Sequence, residues 1–148
     1  MGGRDVDAMI IVDSNIFIFG ETVEAPEREM AMARYGEAIE KGSVGVNVII
    51  LSEVFHKSRL IGGREGAALR IRDILNEPAM ELLELTAETI MRAANLARDF
   101  QMRINDALIA QQAIETGASI LTDNVKDFRK IRSIKIIPLR NGSASAEQ

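Results

Sequence analysis

The run Met9-Ile10-Ile11-Val12 ends at Asp13, and it guides the interpretation of the rest of the chain. It is short and apolar, and three of its four residues are β-branched. Such a run predicts a central strand of a parallel sheet, because helices cover both faces of such strands. Four further short apolar runs predict the remaining strands: Val44–Val46, Met80–Leu85, Ala118–Leu121 and Ile134–Ile137.

Helical patterns separate these strands. Pro26 stands at a first helical position, Asn47 and Thr86 at N-terminal caps, and Gly42 and Gly117 at helix ends. The predicted helices cover 26–41, 48–61, 64–76, 86–102, 105–116 and 125–131, with Gly62-Gly63 between the second and the third. Strands separated by helices pair in parallel through crossover connections. The sequence therefore predicts an α/β fold, a helix–sheet–helix sandwich with a mostly parallel central sheet of four to five strands.

The length of 148 residues suits one domain. We predict a single domain over residues 1–140 and a flexible C-terminal tail, 141–148, of small and polar residues. The start of the chain lacks a targeting pattern, and its longest apolar runs are far below the roughly 20 residues that span a bilayer. These features predict a cytoplasmic protein without a membrane segment.

The composition restricts the available chemistry. The chain has no cysteine and one histidine, His56, which excludes thiol nucleophiles, thiolate zinc sites and two-histidine metal motifs. The net charge of -4 argues mildly against a general nucleic-acid binder, but residues 124–148 hold six basic and two acidic side chains. Any catalysis here must rely mostly on oxygen ligands and carboxylates.

Four acids lie near the predicted carboxyl ends of the strands, where sites form in open α/β sheets. Asp13 closes the first strand and Asp123 follows the fourth, while Glu53 and Asp106 lie in neighbouring helices. Carboxylates close together need a cation to stay ionised, because like charges raise one another's pKa. The pattern predicts a shared Mg²⁺ or Mn²⁺, which takes oxygen ligands and supports phosphodiester hydrolysis.

Taken alone, each acid is explained better by a structural role than by a role in a site. Asp13 and Asp123 are ordinary turn residues, Asp106 suits the first turn of a helix, and Glu53 can pair with Lys57 at i+4. Their common location at one end of the predicted sheet shifts the balance towards a site.

The most diagnostic stretch is Asn105-Asp106-Ala107-Leu108-Ile109-Ala110. Three others accompany it in order: Ile10–Ile16 around Asp13, Ser52–Val54 around Glu53, and Ile120–Phe128 with Thr122 and the Asp127-Phe128 pair. Together they resemble the PIN-domain ribonucleases, most closely the toxins of VapC type, over nearly the whole chain from Met9 to Pro138.

This resemblance implies metal-dependent cleavage of RNA, with Asp13, Glu53 and Asp106 as catalytic metal ligands. For the fourth acid, Asp123 is favoured and Asp127 comes next. The resemblance also implies supporting hydrogen bonds from four polar side chains: Ser14, Asn15, Thr122 and Asn124.

The resemblance implies an RNA substrate and a separate antitoxin protein as partners. Lys57, Arg59 and Arg103, with the basic residues of 126–140, are candidates for phosphate contacts, whereas His56 is interpreted as structural or solvent-exposed. Helices 28–41 and 64–76 offer apolar surface for a homodimer or a partner helix, although core packing accounts for them too.

Two other functions compete with the nuclease. The first is a non-catalytic PIN-like module that binds RNA or a protein, and the intact carboxylates count against it. The second is a receiver-type signalling domain, which ranks low because Asp13 has no neighbouring acid.

Overall fold

The computed structural model describes residues 9–140, which form an α/β fold around a five-stranded sheet. The tail predicted at 141–148 lies outside the described residues. The strands are β1 (Ile10–Val12), β2 (Val44–Val46), β3 (Met80–Leu82), β4 (Ser119–Thr122) and β5 (Lys135–Pro138). The predicted fold class is confirmed, and the sheet is parallel throughout.

The strand order β3-β2-β1-β4-β5 places β1 in the centre of the sheet. Ile11 of β1 pairs with Gly45 on one side and with Ile120 on the other, and it is completely buried. Strand order reverses at β1, because β2 and β4 lie on its opposite sides. Such a reversal leaves a crevice at the carboxyl ends of the two diverging strands, here β1 and β4.

The helices cover the two faces of the sheet. They are α1 (Ser14–Glu21), α2 (Arg28–Glu40), α3 (Val48–Asn76), α4 (Ala87–Phe100), α5 (Ile104–Thr116) and α6 (Val125–Phe128). The predicted caps are confirmed, since Asn47 accepts a hydrogen bond from the Ile50 N–H and Thr86 from the Thr89 N–H. Within residues 9–140, no helix combines the length and the apolar character that crossing a membrane requires.

Helix α1 has no counterpart among the predicted helices. Its residues 16–19 read Ile-Phe-Ile-Phe, a β-branched and aromatic run without helical periodicity. In the structure Ile16 and Phe17 are buried, and the Phe17 ring meets the edge of Tyr35 in α2 at 5.1 Å between centroids. Tertiary packing against α2 therefore overrides the weak local propensity of this segment.

Several elements are shorter than predicted. Helix α2 begins at Arg28, so Pro26 lies in the turn before the helix and not at its first position, and α4 ends at Phe100 instead of Met102. Strand β3 ends at Leu82 instead of Leu85, and α6 ends at Phe128 instead of 131. After Phe128 the chain continues as a turn in which the Ile131 N–H donates to the Phe128 carbonyl at 3.1 Å.

Helix α3 is kinked at Gly63, which confirms the break predicted at Gly62-Gly63, although the second helical segment follows directly. Gly63 has φ 79° and ψ 177°, a region that is essentially restricted to glycine. The kink redirects the helix so that Ala67 and Ile74 of its second segment are buried.

Replacing Gly63 with alanine is expected to lower the free energy of unfolding by about 1–3 kcal/mol, because a side chain strains this backbone conformation. Gly66 is the matched control: it lies in helical conformation, and an added Cβ would meet no atom within 4 Å. Gly66→Ala should instead stabilise the protein by about 0.5–1 kcal/mol. Urea denaturation of both variants measures the difference, and equal effects would contradict the argument.

Candidate active site

A pocket of about 710 Å³ opens at the carboxyl end of β1, next to the crevice between β1 and β4. Four carboxylates line it: those of Asp13, Glu53, Asp106 and Asp127. They come from the end of β1 and from α3, α5 and α6, which are far apart in sequence. The parallel sheet and its crossover helices therefore bring together four acids that the sequence analysis singled out.

Asp13 lines the pocket and is 4% exposed. Its Oδ1 accepts a hydrogen bond from the Ser14 N–H at 2.8 Å, and its Oδ2 accepts from Thr122 Oγ1 at 2.7 Å and Asn15 Nδ2 at 3.2 Å. Burial raises the pKa of Asp13 to about 6, and the hydrogen bonds from Thr122 and Ser14 oppose this rise. The charges of Asp106 and Glu53 raise the pKa further.

Glu53 joins three segments of the chain at the side of the pocket. Its Oε1 accepts from Ser14 Oγ at 2.8 Å, and its Oε2 accepts from Asn105 Nδ2 at 3.1 Å. The hydrogen bonds of Glu53 thus connect α3 to the first residues of α1 and α5. The alternative partner considered from the sequence, Lys57, lines the same pocket.

Asp106 lies in the first turn of α5, opposite α6. Burial raises the pKa of Asp106, Arg103 opposes the rise, and the charges of Asp127 and Glu53 add to it. Its Oδ2 accepts a hydrogen bond from Asn124 Nδ2 at 3.4 Å. The charges of acids from two other elements, α6 and α3, therefore act on the Asp106 carboxylate.

The two candidates for the fourth acid have different positions. Asp123 binds Arg140 through both oxygens, at 2.8 and 2.9 Å, and it is not among the residues that line the pocket. Asp127 and Asn124 both line it. The geometry thus favours Asp127 over Asp123, the reverse of the preference drawn from the sequence.

The supporting residues predicted from the sequence lie where they can orient these acids. Ser14 bonds to Glu53 and Thr122 to Asp13, while Asn15 bonds to both Asp13 and Thr122. Sequence reasoning missed two other contacts. Asn105 was visible as the residue before Asp106, but no local signal pointed to Arg140, which lies 17 residues after Asp123.

Three basic or ionisable side chains also line the pocket: His56, Lys57 and Arg103. His56 is exposed, as one of its two sequence interpretations stated. Cations beside clustered carboxylates suit a ligand that carries negative charge and also binds a metal ion.

The donor set fits a hard divalent cation in chemistry and charge. All four carboxylates supply oxygen ligands, and two of them have raised pKa values that a nearby cation would lower. However, among residues 9–140 no three acidic or histidine side chains are gathered closely enough to form a ready metal cage. In this arrangement Asp13 accepts a hydrogen bond from Asn15, and Glu53 accepts from Ser14 and Asn105.

The Asp13 carboxyl is expected to titrate near pH 6 in protein kept in EDTA. Its pKa is about 6 in the folded state against 3.8 as the ordinary value, so its contribution to stability is complete below about pH 4. That contribution is lost as the pH rises through 6, at roughly 1.4 kcal/mol per pKa unit, or about 3 kcal/mol in total. The ¹³Cγ shift of Asp13 gives the midpoint, and a value near 4 would contradict the prediction. Added Mg²⁺ should lower it.

Comparison with known proteins places the chain in a family. Residues 10–134 match the family model of the PIN domain. No curated protein sequence gave a significant match.

Solved structures with the same fold include three toxin or toxin–antitoxin proteins. VapBC2 from Rickettsia felis, bound to a DNA fragment from its promoter, gives a TM-score of 0.70 at 17% identity over 88% of this chain and 98% of that chain. DNA-bound VapBC from Salmonella typhimurium gives 0.69 at 16% over 90% and 99%. VapC20 of Mycobacterium tuberculosis, a toxin that cleaves the sarcin-ricin loop, gives 0.66 at 15% over 79% and 92%.

At these identities the structural neighbours establish the fold alone. The match to the family model covers most of the chain, and four acids line one pocket at the carboxyl end of the central strand β1. The chain therefore belongs to the PIN domain family.

Proposed function

We propose that this chain is a metal-dependent endoribonuclease and the toxin of a toxin–antitoxin pair. The observation that carries the proposal is one pocket lined by the carboxylates of Asp13, Glu53, Asp106 and Asp127, in a chain of the PIN domain family. The fold neighbours support the second half of the proposal. Several of them are VapBC toxin–antitoxin complexes, and one is a toxin that cleaves the sarcin-ricin loop.

In this proposal the carboxylates of Asp13, Glu53, Asp106 and Asp127 hold a Mg²⁺ or Mn²⁺ ion. A bound divalent cation would acidify a water ligand and offset negative charge on the phosphate. Asp127 replaces Asp123 in the proposed ligand set, because the Asp123 carboxylate already binds Arg140 through both oxygens.

In this proposal polar side chains in and beside the pocket orient these acids and the substrate. Asn15 and Thr122 hold Asp13 by hydrogen bonds, and Ser14 holds Glu53. Lys57 and Arg103 line the same pocket, and in this proposal they contact backbone phosphates of RNA. Strong base stacking is not part of the proposal, because the chain has five phenylalanines, one tyrosine and no tryptophan.

A cleavage assay tests the proposal. The purified chain is incubated with mixed RNA and, separately, with single-stranded DNA of similar length, in Mg²⁺, in Mn²⁺ or in EDTA. We expect RNA fragments with either metal and none in EDTA. Cleavage that persists in EDTA would overturn the metal mechanism. Intact metal binding without cleavage of any RNA would instead support the non-catalytic binding module.

The proposed partner is a separate antitoxin protein that neutralises the toxin. Co-expression with the protein encoded beside it, followed by co-purification and loss of RNA cleavage, tests this part. The homodimer and the cytoplasmic location stay predictions.

A further inference from the structure

Arg140 joins two carboxylates from distant parts of the chain. It lies two residues after the end of β5. Its Nε donates to Asp123 Oδ1 at 2.8 Å and its Nη2 to Asp123 Oδ2 at 2.9 Å, a parallel two-point contact. The same Nη2 donates to Glu27 Oε2 at 2.9 Å, at the start of α2. Both oxygens of Asp123 are therefore engaged by one guanidinium group.

The backbone next to Arg140 is anchored to the strand that leads into the site. The Leu139 N–H donates to the Thr122 carbonyl at 3.0 Å, and Arg34 Nε donates to the Leu139 carbonyl at 3.1 Å. Leu139 itself is completely buried. The Arg140 guanidinium thus contacts the loop between β4 and α6, and the backbone before Arg140 is held by hydrogen bonds.

That loop is bonded directly to the acids of the pocket. The Asp123 N–H donates to Asn15 Oδ1 at 3.1 Å, and the amide group of Asn15 donates to Asp13 Oδ2 at 3.2 Å. The Asn124 N–H donates to Thr122 Oγ1 at 2.8 Å, and that hydroxyl donates to Asp13. A movement of Asp123 would therefore disturb both hydrogen bonds that reach Asp13 Oδ2.

We propose that Arg140 is a positioning residue of the candidate active site. By holding the Asp123 carboxylate it keeps the β4–α6 loop in place, so that Asn124 and Asp127 face Asp106 and Asn15 faces Asp13. The hydrogen bonds of Arg140 go to Asp123 and Glu27, and Asp123 acts as its anchor. The consequences for metal binding and cleavage rest on the proposed function, whereas the holding of the loop does not.

Arg140→Gln tests the proposal with Arg92→Gln as the matched control. Arg92 also joins two carboxylates, those of Glu88 and Glu115, each at 3.1 Å, and its side chain is 53% exposed against 42% for Arg140. Neither of its partners lines the pocket. Exposed ion pairs contribute little to stability, so both variants should fold and unfold thermally within a few degrees of the wild type.

Amide hydrogen exchange is the readout that requires neither metal nor RNA. We expect the N–H groups of Asp123 and Asn124 to exchange about tenfold faster in Arg140→Gln, because local opening of the loop becomes easier. Arg92→Gln should leave these two amides unchanged. Equal exchange in both variants would overturn the proposal.

Mn²⁺ affinity measured by calorimetry is the second readout. Partners that orient metal ligands typically contribute 10–100-fold in affinity, and we expect a loss of about tenfold in Arg140→Gln and none in Arg92→Gln. Arg140→Lys keeps the charge but not the two-point contact, so its affinity should be intermediate. In the cleavage assay the kcat should fall while the KM for RNA stays close to that of the wild type.

Asp123→Asn and the double variant show whether Arg140 acts through Asp123. The two single variants should have similar effects, and the double variant should be no worse than either. A far larger loss in Asp123→Asn alone would make Asp123 a ligand and overturn the proposal.

Failure of the two proposals is distinguishable. If the wild type binds Mn²⁺ without cleaving RNA, the proposed function fails while exchange and affinity still decide the role of Arg140. If the wild type neither binds Mn²⁺ nor cleaves RNA, the proposed function fails, and amide exchange alone decides whether Arg140 holds the loop.

Discussion

Replacing Asp106 with asparagine is expected to slow RNA cleavage by more than about 100-fold, above the 10–100-fold typical of residues that only orient a metal ligand. Asp106 lies among the acids of the pocket, and the charges of Asp127 and Glu53 act on it. Asparagine has nearly the same shape and still accepts from Asn124, so the loss would report the missing charge. Initial rates in Mg²⁺ and in Mn²⁺ measure the effect.

The same substitution is expected to raise the stability of the metal-free protein at pH 7. The pKa of Asp106 is raised, mainly by burial, so the ionised carboxylate is less favourable in the folded chain than in the unfolded one. The wild type should gain more from Mg²⁺, since a ligand at 100 times its Kd adds about 2.7 kcal/mol. Thermal unfolding in EDTA and in Mg²⁺ compares the two.

Asp99→Asn is the matched control for Asp106→Asn. Asp99 lies on α4 beside Arg98, its side chain is 55% exposed, and it does not line the pocket. The Asp99→Asn variant should cleave RNA at the wild-type rate. If Asp106→Asn also cleaves at that rate, Asp106 has no part in the reaction and the proposed site is wrong.

Phe128→Ala is expected to lower the free energy of unfolding by about 3–5 kcal/mol, more than Gly63→Ala, because truncating a buried phenylalanine leaves a cavity. Phe128 is completely buried and belongs to the four-residue helix α6, directly after Asp127. A domain of this kind is stable by only about 5–15 kcal/mol, so the loss is a large part of the total. Urea denaturation measures it.

Phe100→Ala is the control, since Phe100 is only half-buried and packs at the edge of the core. Its loss should be clearly smaller, and Phe128→Leu should restore part of the stability by refilling the cavity. A loss below 1 kcal/mol in Phe128→Ala would show that α6 is not anchored by this ring. At temperatures where Phe128→Ala stays folded, its cleavage should also be weaker, because Asp127 lies beside the cavity.

The apolar run at Met9–Val12 was sufficient to predict the centre of the sheet. A strand without a polar face must be buried on both faces. Strand β1 lies between β2 and β4, and its Ile11 and Val12 are completely buried. The caps at Asn47 and Thr86 were also predictable, because a capping side chain bonds to the backbone three residues away. Local chemistry carries such features.

Three acids could be assigned to one pocket from the sequence: Asp13 at the end of a predicted strand, and Glu53 and Asp106 in predicted helices. Their grouping follows from topology, since parallel strands direct their carboxyl ends to the same edge. The choice between Asp123 and Asp127 could not be made in this way. It depends on Arg140, whose approach to Asp123 results from the pairing of β5 with β4.

The amino-acid pattern alone thus establishes the α/β class, the central strand and the approximate place of the acids. Burial leaves apolar runs in the sequence, and strands that alternate with helices pair in parallel. Helix α1 and the role of Asp123 depend on contacts over long separations, from Phe17 to Tyr35 and from Asp123 to Arg140. Neither contact has a local signature, since a phenylalanine ring or a carboxylate carries no information in sequence about its partner. Folding of the whole chain brings these partners together and directs Asp123 away from the pocket and Asp127 into it.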